Sequence, residues 1–246
     1  MSSLNSLRLF VDVHEKRLVT SPFDPSTPTL PAFVKDDKFN IEVYPLMRNM
    51  YSGLGDNPYE PITSTSLYTI GRFNLGDLTT GSETKYLGNT DPTLTAEQKL
   101  FDAEVLSGGN TAYTVGDILK VTNGTQVEAA KVEVTAVDAG AVAQVRIVDE
   151  GAHTSGVAQP STGRPTTIFA TASPSAASCT LIARFAQTFV GMIDLSVAAL
   201  DDDLLTGTTG TALLEVRLEN GLSAGDFRSC TILQTEVTVT EDVMDV

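Results

Sequence analysis

Apolar residues recur at every second position in short runs bounded by Gly, Pro, Asn and Asp, the period at which side chains of a strand share one face. Leu7, Leu9, Val11 and Val13 alternate with Arg8, Phe10 and Asp12, and a polar turn at 14–17 leads to Leu18 and Val19. Phe39, Ile41 and Val43 give a second strand, and 67–73 a third. Between Val19 and Phe39 lies 22–31, rich in proline, whose fixed φ and missing N–H prevent ladder pairing. That stretch predicts an extended surface crossing.

Further on, 113–117 and 118–121 read as strands before a turn at Asn123-Gly124, where both residues tolerate positive φ. Val132, Val134 and Ala136 form another strand, and Val145 and Ile147 return after a turn at 138–140. Short strands follow at 167–170, 179–185 and 189–195. Leu214, Val216 and Leu218 pair in style with Val237 and Val239 near the end.

Two places depart from the period of two. Thr95 followed by Gln98 has the form of a capping box, and Leu100, Phe101 and Val105 follow at helical spacing, so a short helix is predicted over 96–105. A second short helix, capped by Ser196, would carry Val197, Leu200 and Leu204 on one face. The fold class expected is mainly β: an antiparallel β-sandwich interrupted by a smaller inserted β domain, with one or two short helices. Residues 1–90 plus 187–246 would form the discontinuous core domain, 107–186 the insert and 91–106 a helical linker, since insertion is tolerated at an exposed loop tip.

Composition narrows the function. Among 246 residues, 16 Lys and Arg face 31 Asp and Glu, a net charge of −15 that repels phosphate backbones and anionic lipid. Nucleic acid and membrane are therefore not expected as partners. The opening residues lack the basic and apolar segments of a secretory signal, which predicts synthesis in a cytoplasm. Cys179 and Cys230 are the only cysteines and are read as small buried apolar residues, not a bridge.

Catalytic chemistry finds little to stand on. His14 and His153 are the only histidines, one in a predicted turn and one in a Gly-rich loop, and neither is accompanied by a nucleophile and an orienting carboxylate. Asp201, Asp202 and Asp203 would point in different directions on a helix, so they read as a solvated acidic face and not a cation site. Gly108-Gly109 and the pair Gly207 and Gly210 lack a phosphate-binding frame. Asn123-Gly124-Thr125 fits a glycosylation sequon, but a hairpin turn explains it. No catalytic, cofactor or metal residue is nominated. The best docking candidates are the crossing, with Pro22, Pro25, Pro28 and Pro31, and the loop 50–61, with Tyr51 and Tyr59: prolines lower the ordering cost and aromatics supply contact area.

Two resemblances give these features a setting. Gly108 and Gly109, then Tyr113, Val115, Gly116, Asp117 and Leu119, then the strands 132–137 and 145–148 and the stretch 150–154, resemble a β module recurrent in phage tail and fibre proteins. His153 stands where that pattern carries Tyr, a departure at which different packing is expected. The outer segments 7–13, 30–37 and 233–239 resemble, in order, motifs of the N-terminal domain of phage baseplate upper proteins and tail-fibre adaptors. The resemblance implies a non-enzymatic virion protein made in the bacterial host cytoplasm, without cofactor, most simply a tail, baseplate or fibre adaptor. Its partners would be other virion subunits and further copies of itself, because virion parts repeat symmetrically. A capsid decoration or head-fibre protein, or a receptor- or glycan-binding tail tip, are the alternatives.

Overall fold

A computed structural model describes residues 6–48, 58–62, 68–76, 93–109, 113–122, 125–155, 161–170, 179–196, 209–220 and 229–240. Every regular element in them is a β-strand, as the alternation predicts. In chain order these are β1 (Ser6–Asp12), β2 (Arg17–Val19), β3 (Phe33–Val34), β4 (Lys38–Arg48), β5 (Tyr59–Pro61) and β6 (Ile70–Gly76). Next come β7 (Thr93–Ser107), β8 (Ile118–Val121), β9 (Thr125–Glu128), β10 (Lys131–Asp138), β11 (Ala141–Asp149), β12 (Ala152–Ser155) and β13 (Ser161–Ala170). The chain ends with β14 (Thr180–Asp194), β15 (Thr209–Glu219) and β16 (Ser229–Thr240). Contacts divide it into a larger unit, Met1–Ala96 with Thr188–Val246, and a smaller one, Glu97–Gln187.

In the larger unit β1 and β2 form a hairpin whose turn is held by Asp12: its Oδ1 accepts the N–H of His14 and of Glu15, each at 3.0 Å. β1 then lies parallel to β4, and the opposite edge of β4 takes the end of β14 and, further along, β5. β15 pairs antiparallel with both β6 and β16, and β3 joins β16 in parallel. β1 and β2 also meet β16, so the sheet curls around its own apolar face. Leu9, Ile41, Val43, Phe73, Leu75, Leu94, Phe189, Leu214, Val216 and Leu233 fill the interior. Removing each large side chain from water contributes roughly 1.5–3 kcal/mol, which is what holds so Thr-rich a chain together.

The smaller unit has its own core, built from Leu100, Tyr113, Leu119, Val121, Val132, Val134, Val142, Leu181 and Phe185. β8 lies between β10 and β13, and β11 pairs with the far side of β10. The Leu100 N–H donates to the Glu150 carbonyl at 2.8 Å and the Val142 N–H to the Gly108 carbonyl at 3.0 Å, tying both ends of β11 beside β7. β12 bridges β9 and β7, with His153 opposite Gln98.

The helix expected over 96–105 is not present: these residues belong to β7, as do 93–106 of the expected helical linker 91–106, whose first two residues lie outside the described ones. Thr93, Leu94 and Thr95 alternate exposed, buried and exposed, but buried Gln98 and Lys99 beside Leu100 break the apolar alternation that would have marked a strand. Ladders to β6 and β12 supply the backbone partners that a helix would have made internally. Residues 113–117 form a turn and no strand, fixed by Asp117, which accepts the N–H of Thr114 at 2.9 Å and its hydroxyl at 3.0 Å. The segments 179–185 and 189–195 are one strand, β14, running through buried Gln187 and Thr188. The helix predicted after Ser196 and the turn at Asn123-Gly124 lie outside the described residues. Cys179 and Cys230 are both free thiols.

Candidate docking surface

The proline-rich crossing connects β2 to β3 on the larger unit. Its first half is fastened locally: the Thr20 N–H donates to the Ser26 carbonyl at 2.8 Å, the Ser26 N–H to Asp24 Oδ1 at 2.9 Å, and the Phe23 N–H to Ser21 Oγ at 3.2 Å. Arg17 secures it to the hairpin, donating from Nη1 to the Pro25 carbonyl at 2.8 Å. Proline rings and these bonds hold the backbone in one course, so a partner would meet a surface already ordered. Phe23 stands out from it 61 % exposed, on a chain with few aromatics.

Pro25 and Pro31 are exposed and Pro28 half-buried, while Pro22 faces inward. Two clefts open along the crossing. One, of about 320 Å³, lies between Thr27, Pro28 and Leu30 and the strand residues Gln234–Thr238. The other, of about 400 Å³, is lined by Leu7, Pro31, Phe33, Asp37 and Phe39. Phe33 and Phe39 form its aromatic floor, with ring centroids 5.4 Å apart.

The first cleft has a distinct chemistry. β16 is paired with β15 on one side, but on the other only Val239 and Thr240 pair, with β3, so among the described residues 234–238 makes no ladder on that side, although Arg17 and Leu18 of β2 line the same cleft. The crossing covers this edge without pairing with it. An extended segment laid into the cleft would find the β16 edge on one wall and Thr27, Pro28 and Leu30 on the other.

Tyr59 does not contribute as the sequence suggested. It is 1 % exposed, and its hydroxyl accepts a hydrogen bond from Arg17 Nη2 at 3.2 Å. Burial, followed by the neighbouring Asp12 carboxylate, pushes its phenol above the ordinary range. It therefore braces the hairpin from inside, while Tyr51 lies outside the described residues. Arg17 and the edge 234–238 were missed. The motif 233–239 reads as a strand, but nothing local reveals which strands border it, so an open edge leaves no signal in the sequence.

The remaining candidates stay apart. His14 sits exposed in the β1–β2 turn and His153 is enclosed in the smaller unit. Gly108 and Gly109 follow β7, where the Gly108 carbonyl takes the Val142 N–H, and Gly210 lies in β15. Asp201, Asp202, Asp203 and Gly207 are outside the described residues. Among the described residues no cluster of His, Cys, Asp and Glu could hold a metal ion, and no helix is long and apolar enough to cross a membrane. No family model, no curated protein and no solved structure matches the chain.

Proposed function

We propose that this chain is a non-enzymatic structural protein of a bacteriophage particle, an adaptor that joins neighbouring virion subunits. The observation that carries the reading is the crossing itself: a pre-ordered, proline-stiffened segment bearing exposed Phe23 and flanked by both clefts. Such a surface suits macromolecular docking better than turnover, since it offers contact area and strand edges but no nucleophile–base pair. The phage resemblance of the motifs at 7–13, 30–37 and 233–239 supports the setting, and the last two motifs lie at this surface. The natural partner is an extended segment of another virion protein, or of a second copy of this chain, added to β16.

A photo-crosslinking amino acid in place of Phe23, introduced into this protein within assembled particles, tests the reading. The expected result is a covalent adduct to another virion protein or to a second copy. Irradiation that yields only the uncrosslinked chain overturns it. Phe23→Ser should leave stability within about 0.5 kcal/mol of the parent, as surface substitutions do, while reducing incorporation into particles.

A further inference from the structure

We infer that His153 makes the smaller unit acid-sensitive, a structural element that loosens when the imidazole takes up a second proton. The side chain is completely buried, and neither Nδ1 nor Nε2 has a hydrogen-bond partner. Its ring meets Phe185 of β14 nearly edge-on, with centroids 4.9 Å apart and planes at 74°. A neutral imidazole is tolerated there as an aromatic filler. An imidazolium would need solvent or an anion for two N–H groups that have neither.

Among the described residues only the Gln98 backbone favours the charged ring, and burial outweighs it. β12 is bordered by β7 and β9, which place Gln98 and Gln126 opposite His153. On β7, Glu97 and Lys99 flank Gln98 at positions of the opposite strand face. On β9, Glu128 stands opposite Ala152 and is ion-paired with Lys131 at 3.7 Å. On β14, Arg184 beside Phe185 is engaged by Asp102 and Glu104. No described carboxylate forms an ion pair with the ring.

Burial, which outweighs the opposing influence of the Gln98 backbone, lowers the His153 pKa below the ordinary imidazole range. The unfolded or opened chain then binds more protons than the closed one, so stability is complete above about pH 6.5 and falls as pH drops below it. One proton of difference changes the ratio of opened to closed unit by up to about tenfold per pH unit. The exposed material would be β12 and the part of β7 beside it, the strands that carry Leu100 and His153 into the core.

Amide hydrogen exchange of the full chain, corrected for intrinsic rates, tests this between pH 7.5 and 5. Protection in β12 and in residues 97–107 should fall severalfold to tenfold per unit below pH 6.5, and should be flat with pH in His153→Leu and His153→Gln. An unchanged parent profile, or the same decline in a variant, overturns the inference. Where both variants fail to fold, NMR titration of the parent decides: a His153 ring midpoint clearly below 6.5 supports it, and one at or above 6.5 overturns it.

Discussion

Gly151 and Gly116 allow the packing of the smaller unit to be tested with two substitutions of the same kind. Both adopt positive φ, +64° and +98°. An alanine at Gly116 would meet nothing within 4 Å, whereas at Gly151 its Cβ would come within 2.4 Å of the Ala130 nitrogen and 2.7 Å of the Glu128 carbonyl oxygen. Both partners are backbone, so neither can swing aside. The left-handed conformation costs either alanine about 1–2 kcal/mol. Displacing the link between β9 and β10 adds roughly 1–3 kcal/mol to Gly151→Ala alone. With a urea slope of about 2 kcal/mol/M, the two variants should differ in unfolding midpoint by about 0.5–1.5 M. Far-UV circular dichroism across a urea series measures this. Coincident midpoints would refute the placement of Gly151 against the β9–β10 link.

Three further outcomes follow from individual side chains. Asp12→Ala removes the acceptor for two turn N–H groups at 3.0 Å and should destabilise the larger unit by about 1–3 kcal/mol in thermal unfolding, with Asp12→Asn milder because an acceptor remains. Asp194 is held down to about 2, first by the hydrogen bond from Lys38 and then by Ser196. Its lowered pKa means that its contribution is present above about pH 3.8 and lost as pH falls towards 2, and carboxyl NMR of Lys38→Met should show the midpoint moving upward. Arg184→Ala breaks ion pairs with Asp102 and Glu104 whose side chains are all more than a third exposed, so the loss should stay below about 1 kcal/mol by chemical denaturation.

Much of the fold was legible in the sequence because an inward face that excludes water imposes a period of two on the strands. β1, β4, β10, β15 and β16 each keep it, with Leu9 and Val11, Ile41 and Val43, or Leu214 and Val216 fully buried. Legibility failed where a polar residue occupies an inward position. Gln98 within β7 passed for the end of a capping box, and Gln187 with Thr188 split β14 in two. Strand neighbours were less visible still. The parallel pairing of β1 with β4 and of β3 with β16 is decided by contacts remote in sequence, which no local pattern encodes. For the same reason the crossing could be found from its prolines, while the open edge at 234–238 could not. Tyr59 shows the converse: an aromatic in a Pro- and Gly-marked loop suggested contact area, yet Arg17 and the core enclose it.

Immuno-electron microscopy of particles whose genome encodes this chain, with gold-labelled antibody against it, bears most directly on the adaptor proposal. Label is expected at the tail end of intact particles, or at junctions exposed when they are gently disrupted. Particles that carry no label, intact or disrupted, while purified chain binds the same antibody, would contradict it.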